Sequence, residues 1–419
     1  MEHLLNNKVQ TINDVDVEDF SKQKPIKGRK RISMLLGAGF SVPLGYPMGS
    51  CLSCKVQQSI CNKTIAFTNG ILHYANPNSS HRDDHQKCFE FLLPLMNEYL
   101  KSKEKFDYEK FYDYLSSGCY FDGELYTNTL KKDLNQNIEK ETLVNYLLNI
   151  YNQIVQVLIR DREGRQYYGN IEQNRCEFLQ NYQGFIDYIS LLVDDYIVDV
   201  HTLNHDLLFE SFSNILKAEI NDGFKEYGSK YYGILFCNGF EYTCRLQAYS
   251  SDNYDQTSIN LFKLHGSVNY VPFYKKGIDG ISRKTNYLKA NKGININQLY
   301  MDDENNKGEY LYSQSERHSD FLTGTTKAIR YNDFFFQELF CNFKCNLKNA
   351  EKLIIIGYGG KDKEINKYIV DNFDYEHKPV FIVDPKPSET LMNFANRINA
   401  QIIEKTVSEI DCSDFESTK

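Results

Sequence analysis

The sequence predicts an α/β fold: a Rossmann-like, doubly wound parallel sheet with an inserted helical subdomain. Three observations predict it. First, six short runs are nearly all apolar and rich in β-branched residues: RISMLL (31–36), YIVDVHT (196–202), INLFKL (259–264), KLIIIG (352–357), PVFIVD (379–384) and AQIIE (400–404). Runs of this kind suit strands buried on both faces, as in parallel sheets. Second, helical patterns separate several of them, which is the alternation of a layered α/β domain. Third, the block from 85 to 192 has helical spacing throughout. It carries Phe89, Leu92, Leu93, Met96, Tyr99 and Leu100, then Leu143, Tyr146, Leu147, Ile150, Ile154 and Leu158, then Phe185, Ile189 and Leu192.

The predicted organisation is an N-terminal arm (1–30), a first α/β part (31–84), the helical insertion (85–192) and the remainder of the α/β domain (193–419). The arm runs acidic (Asp14, Asp16, Glu18, Asp19) and then basic (Lys22, Lys24, Lys27, Arg29, Lys30, Arg31), and reads as a solvated tether. Residues 271–330 are rich in Lys, Asn, Gly and Ser with weak periodicity, so long loops are expected there, with room for a β-hairpin.

A formal net charge of −8 argues against electrostatic binding of nucleic acid by the molecule as a whole. The N-terminus, MEHLLNNKVQ, has no basic head followed by an apolar core, and no apolar run approaches the ~18 residues that span a bilayer. Eleven scattered cysteines read as reduced thiols, so a cytoplasmic chain is expected. Cys51 and Cys54 form the only CxxC, and no second pair exists to complete a zinc ribbon. There is no GxxxxGK[ST] phosphate loop either.

The chemistry-bearing residues sit where strands end. RISMLL runs into Gly37-Ala38-Gly39, then Ser41, with Pro43 and Pro47 stiffening the next turn. Glycines let backbone amides approach a phosphate, and a following helix N-terminus favours negative charge. A tight strand-to-helix turn needs the same glycines without any ligand. Val42 stands where the dinucleotide fingerprint GxGxxG has its third glycine, which weighs against hydride transfer. YIVDVHT leads to Asn204-His205-Asp206, polar groups at a strand's carboxyl end that serve equally as caps of the next helix. His265 follows INLFKL; a histidine there can act as a general base or simply bond within the rim. KLIIIG runs into Gly357-Tyr358-Gly359-Gly360, with Asp362 and Asn366 one helical turn apart on one face. Asp384 ends PVFIVD, placed either for ribose hydroxyls or for capping the next turn. Parallel strands would gather all five at one sheet edge.

The order of these stretches, LLGAGFSVPLGYP, TLNHDLLFE, KLHGS and LIIIGYGGKDKEIN, resembles the sirtuin superfamily, and more narrowly the bacterial sirtuin-like NAD hydrolases of antiphage defence. The resemblance implies that Gly37, Ala38, Gly39 and Ser41 cradle the NAD phosphates and cover the nicotinamide ribose. It implies that Asn204 orients the attacking group, that Asp206 lies near the carboxamide, and that His265 is the catalytic histidine. Gly357, Tyr358, Gly359 and Asp384 are the further nucleotide-binding candidates. Protein deacylases of the superfamily carry a four-Cys zinc module, and Phe-Arg after the Gly-Ile-Pro turn. This chain has no such module, and Gly45-Tyr46-Pro47 leads to Met48-Gly49-Ser50.

The expected function is therefore hydrolysis of the nicotinamide–ribose bond of NAD+, a substrate and not a prosthetic group, with no zinc. A homo-oligomer and, by the resemblance, a HerA-type ATPase partner are the expected controls of a toxic, NAD-depleting effector. The alternatives are an NAD-dependent deacylase or ADP-ribosyltransferase, and a non-catalytic NAD or ADP-ribose sensor or scaffold.

Overall fold

A computed structural model of the chain describes residues 28–416, apart from 63, 69, 75–81, 122, 135–137, 161–170, 217, 230, 238–239, 277–281, 290–298, 301–309 and 312–332. Most of the N-terminal arm and much of the 271–330 stretch lie outside the described residues.

The central sheet has seven strands: β1 (Lys30–Leu36), β2 (Tyr196–Thr202), β3 (Ile220–Asn221), β4 (Ile259–Lys263), β5 (Ala350–Ile356), β6 (Val380–Val383) and β7 (Gln401–Ile403). Their order is β7-β6-β5-β1-β2-β4-β3, and every pairing is parallel. All six apolar runs read from the sequence are strands of this sheet. The seventh, β3, spans only two residues at the edge, too short for any periodic signal. On one side of β1 the chain lays down β2, then the edge strand β3, then β4 between them; it then crosses back and builds β5, β6 and β7 outward on the other side. The topological switch point is therefore at β1, between β5 and β2. Open α/β sheets place ligands outside the carboxyl ends of the strands at that point.

Side chains alternate across β1. Ile32, Met34 and Leu36 join a cluster with Tyr182, Phe185 and Ile189 of the helix Ile171–Leu192. Leu35 faces the other way, into a cluster with Phe336, Leu339 and Phe343 of the helix Phe334–Asn349 and with Ile365 and Leu391. Helices thus cover both faces, which is why the strands are apolar on both. Ser33 and His201 lie on the second face as well. The His201 ring stacks on Phe262 at 5.1 Å, its Nδ1 is 3.3 Å from Ser33 Oγ, and its Nε2 is 3.2 Å from Asn346 Nδ2. Burial lowers its pKa to about 3, so it stays neutral. Near the start of the strands, Arg31 Nε and Nη2 each donate to the buried Asp199 at 2.7 Å, with Asp255 and Asn260 completing the network. A buried carboxylate needs such partners, and together these pin the register of β1 against β2.

A third cluster is helical. It joins α1 (Gly49–Asn62), α2 (Asp84–Leu100), α3 (Tyr108–Ser117) and α4 (Lys140–Arg160), with Leu52, Val56, Phe89, Leu92, Met96, Phe111, Leu147 and Ile154 in its core. A hairpin of Ile65–Thr68 and Ile71–Tyr74 packs beside it. This grouping differs from the 85–192 division expected from spacing. The helical cluster takes in residues from 49 onward, and Ile171–Leu192 packs on the sheet instead. Helical periodicity marks an apolar face but does not say which layer that face meets. Between β4 and the helix Phe334–Asn349, the strands Tyr270–Lys276 and Ser282–Lys289 form an antiparallel hairpin. Among the described residues no helix is long and apolar enough to cross a membrane.

Candidate functional site

The opening glycines meet the loop after β5. Gly37 N donates to Ile356 O and Gly39 N to Gly357 O, both at 2.9 Å. A Cβ on Gly37 would sit 2.5 Å from Gly357 O, and one on Gly39 would sit 2.7 Å from Gly357 Cα. These two glycines are therefore required by loop-on-loop packing, and their amides are already spent within the protein. That refines the phosphate-cradle expectation, since Gly37 and Gly39 do not present free N–H groups. Ala38 and Gly359 are the exposed members of the two loops, and a Cβ on Gly359 would meet open space. The chain continues as a 3₁₀ helix, Ala38–Leu44, closed by Gly45 in the left-handed region. Phe40 anchors it in the core: its ring lies 4.9 Å from Phe185, and its carbonyl accepts from Tyr182 OH at 2.6 Å.

Ser41, Asn204 and Asp206 form one buried network. Asn204 Nδ2 donates to Gly37 O at 2.9 Å and lies 3.0 Å from Ser41 Oγ. Ser41 Oγ donates to Asp206 Oδ2 at 2.9 Å, and Leu208 N donates to Asp206 Oδ1 at 3.0 Å. Asp206 thus accepts from the first residue of the helix Leu208–Ser211, whose N-cap is Leu207, and belongs to the same network as Ser41 and Asn204. Lys263, only 1% exposed, donates to Asp206 O and lies 3.2 Å from Glu210 Oε1. Burial raises the Asp206 pKa to about 6, against the pull of Lys263 and the Ser41 hydroxyl. The folded state therefore binds more protons than the unfolded chain between the ordinary aspartate value of 3.8 and about 6. Stability from this group is lost as pH rises through that window. Asp206→Asn is expected to flatten that part of the profile. Melting temperatures measured from pH 4 to 7 check this; a variant with an undiminished fall across the window would refute it.

His265 lies just beyond β4, and Asn204 just beyond β2. These strands are direct neighbours with Lys263 opposite Thr202, so both residues project from the same rim. The His205 and His265 ring centroids are 6.3 Å apart. His265 Nε2 is 3.5 Å from Asp362 Oδ2. Asp362 also caps the helix Lys363–Asn372, where its Oδ1 accepts from Glu364 N and Ile365 N. The cap fixes the carboxylate, and its other oxygen faces the imidazole. Tyr358 turns inward: its hydroxyl is 2.8 Å from Asn366 Oδ1, and Asn366 Nδ2 donates to Gly360 O at 2.8 Å. Tyr358 and Asn366 therefore hold the GYGG loop in shape. Asp384 reaches the same edge, because Gly357 N donates to Val383 O, but its Oδ1 accepts from Lys386 N at 2.8 Å, the capping role.

Every sequence-selected residue thus ends at one edge of the sheet. Lys263, Glu210 and the Asp362–His265 pairing were not singled out. A lysine inside INLFKL was the available signal for the first. The pairing of Asp362 with His265 joins residues 265 and 362 and had no local signal.

No protein-family description and no curated protein matches this chain. Among solved structures it is similar to a Sir2 homologue–NAD complex, with 10% identity over 95% of this chain and 92% of that one, at a TM-score of 0.34. It is likewise similar to a mutant Sir2 homologue in complex with 2'-O-acetyl ADP ribose, with 13% identity over 94% of each chain and a TM-score of 0.34. Both likenesses are distant. Among the described residues no group of three His, Cys, Asp or Glu side chains is placed to hold a metal ion.

Proposed function

We propose that the chain binds NAD+ across the carboxyl ends of β1, β2, β4 and β5 and hydrolyses its nicotinamide–ribose bond. The observation that carries this reading is the gathering, at one sheet edge, of the Ser41–Asn204–Asp206 network and of His265, whose Nε2 lies 3.5 Å from Asp362 Oδ2. The four ordered motifs support the same reading. Water attacks the anomeric carbon as the C–N bond breaks, and the bonding pair leaves with nicotinamide and neutralises its ring. The sugar passes through an oxocarbenium-like state, as in glycoside cleavage. His265 takes the proton of the attacking water or of a ribose hydroxyl, with Asp362 stabilising the imidazolium that results. Asn204, fixed by Gly37 O and Ser41, holds the reacting groups in line. Asp206 lies at the carboxamide. Ala38 and Gly359 supply the backbone nearest the diphosphate.

An unrestrained NAD+ hydrolase would poison its own cell, so the reading includes control by oligomerisation or by a HerA-type ATPase partner, in antiphage defence. The test is chromatography of NAD+ incubated with the purified chain, alone and with candidate partners. Nicotinamide and ADP-ribose are expected in equal amounts, whether or not an acetyl-peptide is added. Release that requires the peptide would make the chain a deacylase. Intact NAD+ under every condition, together with unimpaired NAD+ binding, would make it a sensor.

A further inference from the structure

The long helix α4 carries a stripe of carboxamides into the protein interior. Asn149, Asn152, Gln153 and Gln156 fall on one face at spacings of three and four. Gln153 is fully used: its Oε1 accepts from Leu72 N at 3.2 Å, and its Nε2 donates to Gly70 O at 2.9 Å and Asn149 Oδ1 at 2.8 Å. The other side of the stripe differs. Gln156 Nε2 donates to Val268 O at 3.2 Å, which sets the helix against the turn just after His265. That turn is closed by Tyr270 N donating to Ser267 O at 3.1 Å, and Val268 N donates to His205 O at 3.0 Å.

Along this contact four polar side chains are buried: Asn152 at 5% exposure, Gln156 at 0%, Ser267 at 0% and Asn269 at 2%. Asn152 Oδ1, Gln156 Oε1, Asn269 Oδ1 and Ser267 Oγ have no hydrogen-bond partner among the described residues. A buried polar atom left this way is costly, and native interiors satisfy nearly all of them. They gather along the contact between α4 and the turn just after His265. We propose that Asn152, Gln156, Ser267 and Asn269 form a subsite next to His265 for an uncharged group with two or more hydrogen-bond donors. The helical layer is then part of the substrate site. The chemistry is dictated by the atoms. Three are carbonyl oxygens, which call for donors, and none of the four side chains is cationic, so a phosphate does not suit them. Given the NAD+ reading, on which this assignment of the ligand rests, the group is the ribose diol or the nicotinamide carboxamide.

The test uses the full chain and the variants Asn152→Leu and Ser267→Ala. Unfolding temperature is measured without ligand, and affinity is titrated separately with ADP-ribose and with nicotinamide. Removing an unpartnered buried polar atom is expected to leave the unfolding temperature unchanged or raise it, while one affinity falls by about tenfold. Loss confined to ADP-ribose assigns the diol, and loss confined to nicotinamide assigns the carboxamide. Unchanged affinities with a lowered unfolding temperature would show that the cluster holds structural water alone, and would overturn the proposal. So would a wild-type chain that binds neither ligand. Hydrolysis is scored apart, by nicotinamide release from NAD+. A wild-type chain that binds ADP-ribose through Asn152 but releases nothing refutes the hydrolase and leaves the subsite standing. Ser267→Ala removes a single oxygen and carries the same readout if Asn152→Leu does not fold.

Discussion

Replacing His265 by alanine is expected to lower nicotinamide release from NAD+ by about 10²–10⁴-fold, the range for loss of a general base. The imidazole is 4% exposed and sits at the end of β4, between the His205 ring and the Asp362 carboxylate. Its position is set by the sheet register and by the helix cap that holds Asp362. Both persist when the side chain is removed, so the loss should fall on kcat and leave the KM for NAD+ within a few-fold. Asp362→Asn should retain the cap through its remaining oxygen and lose only the charge facing the imidazole. Its effect on kcat is therefore expected to be smaller than that of His265→Ala. Steady-state kinetics across pH 5 to 9 measures both. Equal turnover of His265→Ala and wild type would remove His265 from the chemistry.

Gly357→Ala is expected to cost more than about 3 kcal/mol of stability, through two independent effects. The residue has φ +64, a conformation that a side chain disfavours by about 1 kcal/mol or more. A Cβ there would also lie 2.3 Å from Phe40 N and 2.5 Å from Gly39 C, both backbone atoms with no room to yield. The loops after β1 and β5 would have to part, breaking the Gly39 N to Gly357 O hydrogen bond and pulling Phe40 from its aromatic nest. Two positions along the same loop the outcome reverses. A Cβ on Gly359 meets open space, so Gly359→Ala should change stability by no more than about 0.5 kcal/mol while raising the KM for NAD+. Denaturant unfolding of the two variants, with kinetics on the second, separates a packing glycine from a ligand-facing one. A Gly357→Ala chain as stable as wild type would contradict the loop-on-loop contact.

Much of the architecture was legible because buried parallel strands are written locally. RISMLL, YIVDVHT and KLIIIG need apolar, β-branched residues on both faces, and each such run is a strand of the sheet. Polar residues at strand ends were legible for a related reason, since parallel strands must deliver their carboxyl ends to one edge. The role of each glycine was not. Gly37, Gly39, Gly357 and Gly359 read alike along the chain, yet three are fixed by contact between loops over 300 residues apart and one faces outward.

By itself, then, the sequence determined the layered α/β class, six of the seven strands of its sheet and the edge at which the polar strand-end residues gather, because hydrophobic periodicity and strand-end composition are properties of neighbouring residues. Only the tertiary structure decided that Ile171–Leu192 belongs with the sheet, that Asp362 faces His265, that Lys263 underlies Asp206, and that α4 brings Asn152 and Gln156 to the turn after His265. Each of those is a pairing between distant segments, settled by which surfaces pack together and by the need of buried polar atoms for partners.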